Sequence, residues 1–162
     1  MEYDRLLAAL AKEIGVERLD PDESNMVHLG AEGTALTIVY EPESRHVVAF
    51  SEIADLPIDG REAFYAEALR ANWLFQSGAG ASLAICPETD KLSLNRAWPI
   101  DALDDKTFVD SLQRFLATLW RWRKLAADWR EVRKDGGDVG TDRVRRPETE
   151  DTISLDMLQM RV

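Results

Sequence analysis

Residues 61–94 read REAFYAEALRANWLFQSGAGASLAICPETDKLSL, and this stretch decides the fold. Its first part, Arg61 to Gln76, is rich in alanine, leucine and aromatic residues and predicts a helix. Few charges follow Arg70, so apolar side chains occupy more than one face, whereas a surface helix usually shows one apolar stripe. The helix therefore needs two sets of neighbours. One is its own sheet, and the other could be a second copy of the chain.

Small residues and a turn follow the predicted helix. Residues 77–80, SGAG, indicate a helix stop, because glycine adopts the left-handed conformation without a side-chain clash. Residues 81–86 and 91–95 alternate in polarity and predict two strands, and 87–90, PETD, is typical of a turn. A phosphate-binding loop is not indicated, because such a loop runs from a strand into a helix.

The remaining segments predict one helix and three strands before this stretch and one long helix after it. Apolar residues at spacings of three and four predict a first helix over 3–14. Residues 26–29, 34–40 and 45–53 predict three antiparallel strands. Residues 101–133 predict a final helix about 45 Å long. We expect its tryptophan-rich second half to project beyond the core or to lie across a neighbour.

Length, charge and composition limit the class of protein. With 162 residues and 45% hydrophobic content, we expect one α+β domain over 1–133, followed by a mobile linker and apolar tail over 134–162. A net charge of −10 argues against nucleic acid and anionic membranes as partners. No run approaches the roughly 18 apolar residues of a membrane span. The single cysteine, Cys86, and an N-terminus unlike a signal peptide favour the cytoplasm.

The sequence offers no grouping typical of a catalytic or metal site. His28 and His46 are the only histidines, and no metal-ligand spacing joins them to Cys86. No nucleophile stands beside an adjacent base. We therefore expect no enzyme activity, no cofactor and no metal.

The predicted order of elements carries residues that resemble the class I type III secretion chaperones, the Tir chaperone (CesT-like) family. That family shows a leucine-asparagine helix, a glycine pair, an apolar strand, an acidic turn and a Leu-x-Leu strand. The similarity covers roughly residues 3–130. The segments that carry it are Ala68–Leu74, Gly78, Gly80, Leu83–Thr89 and Leu92–Leu94.

The resemblance implies an α+β sandwich that forms a homodimer. It also implies binding of an extended, non-globular segment of a secreted effector, which the chaperone keeps secretion-competent. Dimer contacts would come from the middle helix and the following strand. An intrachain core role is the alternative for the helix, since apolar stripes usually face the core. The implied dimer residues are Leu69, Trp73, Phe75, Leu83 and Ile85.

Effector binding would combine strand addition at a sheet edge with burial of alternate side chains in apolar patches. We expect about half of the candidate patch residues to face the core instead, because strand neighbours alternate. The alternating apolar residues of 153–162 suggest that the tail lies in the effector groove when no effector is present. A disordered end, or a short helix packed on Trp120 and Trp129, is the alternative. The candidate patch residues are Leu6, Leu10, Ile38, Tyr40, Val48 and Phe50.

Three functions fit these observations to different degrees. The first is a type III secretion chaperone. The second is a dimeric α+β interaction or regulatory module with a non-secreted partner, and the third is a small-molecule enzyme. A co-purifying extended polypeptide would favour the first, and a deep polar pocket with shifted pKa values would favour the third.

Overall fold

The computed structural model describes residues 1–31, 33–75, 78, 80–134 and 159–160. The predicted order of one helix, three strands, a helix, two strands and a long helix is confirmed. Two short 3-10 helices span Trp73–Phe75 and Ile100–Ala102. The main elements are α1 Glu2–Glu13, β1 Met26–Ala31, β2 Thr34–Glu41, β3 His46–Asp55, α2 Arg61–Asn72, β4 Ser82–Cys86, β5 Lys91–Pro99, α3 Asp105–Lys134 and β6 Gln159–Met160.

The strands form one antiparallel sheet in the order β4-β5-β3-β2-β1-β6. Between β2 and β3, Ile38 lies opposite Ala49 and Val39 lies opposite Val48. Directly opposed residues share a face and strand neighbours alternate. Ile38 and Ala49 therefore lie on one face of the sheet, and Val39 and Val48 lie on the other.

The core lies between the Ile38 face of the sheet and helices α1 and α3. Tyr3 of α1 stacks on Tyr40 of β2, with 5.4 Å between ring centroids. Arg5 of α1 reaches the start of α3, where its guanidinium donates to Asp105 Oδ1 at 2.5 Å. The side chains buried completely or nearly so include Leu6, Leu7, Leu10, Leu36, Ile38, Leu94, Phe108, Leu112, Phe115 and Leu119.

The second half of α3 does not project from the domain, so that part of the prediction is wrong. Trp122 and Ala126 are buried in the core, and the Trp129 ring meets Phe64 of α2 edge-on at 5.5 Å. The extra length is therefore used within the chain, because it gives α2 a packing partner. Helix α3 also begins at Asp105, after the short 3-10 helix, rather than at Asp101.

Helix α2 ends earlier than predicted, at Asn72 rather than Gln76. The helix stops at Trp73, whose backbone is extended with φ −60° and ψ 120°, and Leu74 follows in a left-handed conformation with φ 50° and ψ 35°. Gly78 and Gly80 also have positive φ, but they serve the approach to β4. A Cβ on Gly78 would stand 2.9 Å from the Thr118 hydroxyl of α3, so this position needs glycine for space as well as for conformation.

The predicted linker and tail, 134–162, lie outside the described residues except for Lys134, the last residue of α3, and Gln159–Met160, which form β6. The first predicted strand is longer than expected, since β1 continues to Ala31. Of the helices in the described part of the chain, none combines the length and apolar character needed to cross a membrane.

Candidate partner-binding surfaces

Large apolar side chains are exposed where α2 ends and β4 runs beside it. Leu69 is 69% exposed, Trp73 68%, Leu74 74% and Ile85 42%. We call these four residues the α2–β4 surface. Scattered apolar residues are normal on a protein surface, but clustered ones of this size indicate a contact with another polypeptide.

Two local features hold the α2–β4 surface in place. The Asn72 side chain donates from Nδ2 to the Leu83 carbonyl at 2.9 Å and accepts the Leu83 N–H at 2.8 Å. This pair of hydrogen bonds fastens the end of α2 to the outer edge of β4. Directly after it, the left-handed backbone of Leu74 turns the chain while the Trp73 and Leu74 side chains remain in solvent. A non-glycine residue in this conformation is strained, and such strain is concentrated at functional sites.

The implied dimer residues divide between this surface and the interior. Leu69, Trp73 and Ile85 belong to the α2–β4 surface, so an intrachain core role for Leu69 and Trp73 is wrong for this chain. Leu83 is buried beneath the sheet edge. The side chain of Phe75 lies outside the part of the chain that is described.

The candidate effector-patch residues on the helix-covered side of the sheet are mostly inaccessible. Leu6, Leu10 and Ile38 are completely buried in the core. Tyr40 is half-buried against Tyr3. In this chain the three buried residues have no surface to offer to a partner.

The other two candidate patch residues lie on the opposite face of the sheet. Val48 and Phe50 are both half-buried there. Phe50 lies opposite Thr37 and Val48 opposite Val39, and both β2 residues are buried. The result is a small apolar area at the centre of the sheet, which we call the open-face patch, made of Val39, Val48 and Phe50.

The edge of the sheet at β1 is occupied by another part of the same chain. Strand β6 pairs with β1 antiparallel, with Met160 opposite Leu29 and Gln159 opposite Gly30. This edge already accepts an added strand in the structure. The tail hypothesis placed residues 153–162 near an effector groove, and two of these residues are found here.

Positive charge collects beside the turn that joins α2 to β4, although the whole chain carries −10. The Arg121 side chain lies against Gly78 and the Arg96 side chain against Gly80. Burial lowers the pKa of both arginines, and for Arg96 the nearby Arg114 lowers the pKa further. Arginine nevertheless stays protonated at neutral pH, so both side chains keep their positive charge.

Two polar contacts of titratable side chains in the described residues stabilise local structure. The Cys86 thiol donates to Glu88 Oε2 at 3.1 Å, which lowers the pKa of the Glu88 carboxyl. Burial raises the pKa of the Tyr3 hydroxyl, which donates to the Ile38 carbonyl at 3.3 Å. Within the described part of the chain, no three His, Cys, Asp or Glu side chains come together as possible metal ligands. What the geometry does present is surface for binding a polypeptide.

Sequence reasoning missed two residues of this arrangement. Asn72 stands in a helical run, where nothing marks its amide as the partner of a strand edge. Leu74 gave no signal either, because leucine rarely adopts the left-handed conformation. The one available hint was the position of the Asn-Trp-Leu run directly before two glycines, where a helix must end.

Comparison with known proteins gives a family and a fold. The sequence model of the Tir chaperone protein (CesT) family matches residues 5–123. The ExsC–ExsE complex contains a chain of similar structure, with TM-score 0.67 and 22% identity over 76% of this chain and 92% of the other. No curated protein sequence matches the chain.

Two further solved structures share the fold. The Yersinia pestis type III secretion chaperone SycH, in complex with a fragment of YscM2, has TM-score 0.59 and 18% identity over 74% of this chain and 98% of the other. The ExoT–SpcS complex of Pseudomonas aeruginosa has TM-score 0.58 and 18% identity over 74% and 96%. The predicted α+β chaperone-like fold is therefore confirmed.

Proposed function

This chain belongs to the Tir chaperone protein (CesT) family, and from that premise we propose that it is a type III secretion chaperone. It binds an extended, non-globular segment of a secreted effector in the cytoplasm and keeps that segment competent for export. The family match over residues 5–123 is the observation that carries the proposal. The function requires binding only, without catalysis and without a cofactor.

The α2–β4 surface is the proposed homodimer contact. Trp73 and Leu74 are exposed by more than two thirds of their surface, and the backbone of Leu74 is strained. Strain of this kind costs about 1–3 kcal/mol, and exposed apolar side chains add the cost of hydrating them. A second copy of the surface, related by twofold symmetry, would remove this apolar area from water.

Effector binding is proposed at two sites, the β1 edge, where β6 pairs in this structure, and the open-face patch. Main-chain hydrogen bonds at the β1 edge supply affinity that depends little on side chains, and apolar patches supply selectivity. The open-face patch, with Val48 and Phe50 half-buried, is the proposed selective contact. Of the six candidate residues, the proposal retains three, which are Val48, Phe50 and the half-buried Tyr40.

The proposed client is tested by purifying the tagged full-length chain from its source cells and identifying the bound polypeptide by mass spectrometry. A secreted effector should be recovered, with its bound segment protected from protease as an extended fragment. Val48→Asp together with Phe50→Asp should abolish recovery. Ile58→Asp is the matched control, because Ile58 is 91% exposed in the loop before α2 and belongs to neither surface. Recovery of a folded, non-secreted partner would refute the proposed client.

The proposed dimer is tested by sedimentation at micromolar concentration. The wild-type chain should sediment at twice 18.3 kDa, and Trp73→Asp should sediment at 18.3 kDa. Ile58→Asp is again the control and should remain dimeric. Helix α2 rises about 18 Å along its length, so Ile58 lies well away from Trp73. A wild-type species of 18.3 kDa would refute the dimer.

A further inference from the structure

The two edges of the sheet are covered in two different ways. In the order β4-β5-β3-β2-β1-β6, the edge at β4 lies beside α2 and the edge at β1 carries β6. An uncovered edge presents unpaired N–H and C=O groups and readily accepts another strand. Which edge can accept a client strand therefore depends on how firmly its covering segment is attached.

The β4 edge is covered by the Asn72 side chain, which is anchored at the end of a packed helix. The Asn72 amide satisfies both the N–H and the C=O of Leu83, as a neighbouring strand residue would. Asn72 is the last residue of α2, whose other side is packed through Phe64 against α3. Breaking the Asn72–Leu83 hydrogen bonds would require the end of a packed helix to move, so the middle of the β4 edge is unavailable to a client strand.

The β1 edge is covered by a strand of the same chain, β6. Strand β1 offers six residues, MVHLGA, without a proline or a formally charged residue of the kind that usually protects an edge. Opposite this edge, the described part of β6 pairs only through Gln159 and Met160. In the described sheet β6 is an edge strand beside β1, whereas the Asn72 contact is anchored by the packed helix α2, so β6 opens at the lower cost in free energy.

We infer that β6 is an internal competitor for the client. In the client-free chaperone the C-terminal segment occupies the β1 edge, and an incoming effector strand displaces it and pairs along Met26–Ala31. The inference rests on the proposed function, since it names the regulation of that same edge. The segment before β6 has the alternating sequence of a strand, because Ile153, Leu155 and Met157 are separated by single polar residues.

The competition between β6 and a client is unequal. A tethered strand has a high effective concentration, in the millimolar range for short tethers, so it covers the edge in the absence of client. A client that pairs along β1 and also contacts the open-face patch makes contacts beyond the strand pairing described for β6. The tail therefore protects the edge from non-specific strand pairing and still yields to a genuine client.

The experiment measures binding of a labelled synthetic peptide with the sequence of residues 152–162 to full-length chains. Met160→Pro is the test variant, because proline lacks the N–H and is excluded from a paired strand. Thr149→Pro is the matched control, which places the same residue ten positions before Gln159. Successive residues of a strand point their N–H groups to opposite neighbours, so hydrogen exchange at the N–H of the Leu29–Gly30 pair that faces β6 reports whether the β1 edge is covered.

Met160→Pro should bind the peptide at least ~10-fold more tightly than the wild type, because the tethered competitor is lost. It should also lose protection at the N–H of the Leu29–Gly30 pair that faces β6 and regain it when the peptide is added, while the N–H that faces β2 stays protected. Thr149→Pro should match the wild type in both measurements. A peptide that itself carries Met160→Pro should fail to bind.

Three results would overturn the inference. They are unchanged protection in Met160→Pro, equal peptide affinity in wild type and variant despite lost protection, and recruitment of further copies to the exposed edge in place of peptide. None of these requires an effector, so they are distinct from failure of the proposed function. If the chain recovers its effector but fails the peptide test, only the inference about β6 is refuted. If the chain passes the peptide test but recovers no effector, only the proposed client is refuted.

Discussion

Replacing Asn72 with alanine should weaken the attachment of α2 to the sheet edge. The change removes two hydrogen bonds, of 2.9 and 2.8 Å, that join the Asn72 amide to the backbone of Leu83. Each such bond contributes about 1 kcal/mol net, and a buried partner left without one costs more. Leu83 is 7% exposed, so its N–H and C=O are poorly placed to find water. We expect the free energy of unfolding to fall by about 2 kcal/mol.

Urea denaturation at one fixed protein concentration measures this loss. With a slope of about 2 kcal/mol per molar urea, the midpoint should fall by about 1 M. Asn95→Ala is the matched control, because the hydrogen bond described for its side chain is a long one, from Nδ2 to the Ser93 hydroxyl at 3.4 Å. The control should lose less than about 0.5 kcal/mol. If Asn72→Ala loses no more than Asn95→Ala, the Asn72 amide does not hold the edge and the reasoning is refuted.

Three further substitutions test the packing and the acid response of the domain. Gly78→Ala should cost about 2 kcal/mol more than Gly15→Ala by urea denaturation, because both positions have positive φ but only Gly78 is crowded, with α3 atoms 2.9 Å from the place that the added methyl group would take; equal losses would contradict this. Phe64→Ala should cost about 3 kcal/mol, since the ring joins α2 to α3; a loss under about 1 kcal/mol would contradict it. The hydrogen bond from the Thr107 N–H lowers the pKa of the Asp104 carboxyl from its ordinary value of 3.8. The stability that the ionised carboxylate contributes is therefore fully present above pH 3.8 and is lost as the pH falls through the folded-state pKa. Asp104→Asn should therefore flatten the fall in urea midpoint between about pH 5 and about pH 2, and an unchanged profile would contradict that.

The order of elements could be predicted because each one carries its own periodicity. Leucines at helical spacing define α1, and alternation defines β2 and β3 without knowledge of their neighbours. The excess of apolar residues in α2 was also readable, since Leu69 and Trp73 could not both share a face with Phe64 and Ala68. The structure buries the second pair and exposes the first.

The faces of the sheet could not be assigned from sequence, because both carry apolar residues. Alternation shows that Ile38 and Val39 point in opposite directions, but not which of them meets the helices. That depends on the register between β2 and β3 and on where α1 packs, which are properties of the whole domain. The end of α2 was placed too late for a different reason, since Trp73 and Leu74 have ordinary helical propensity but adopt an extended and a left-handed backbone conformation.

The arrangement of the sheet keeps the two proposed contacts apart. Three strands, β5, β3 and β2, separate β4 from β1, which places these strands roughly 19 Å from one another at the usual strand spacing. A second copy on the α2–β4 surface and a client strand on the β1 edge therefore touch different atoms and leave each other room. Energies of distant sites add, so a chain made monomeric by Trp73→Asp should still bind the peptide of residues 152–162 once Met160→Pro has freed the edge. If the doubly substituted chain lost that binding, the edge would depend on the dimer, and the two surfaces would have to be understood as one site.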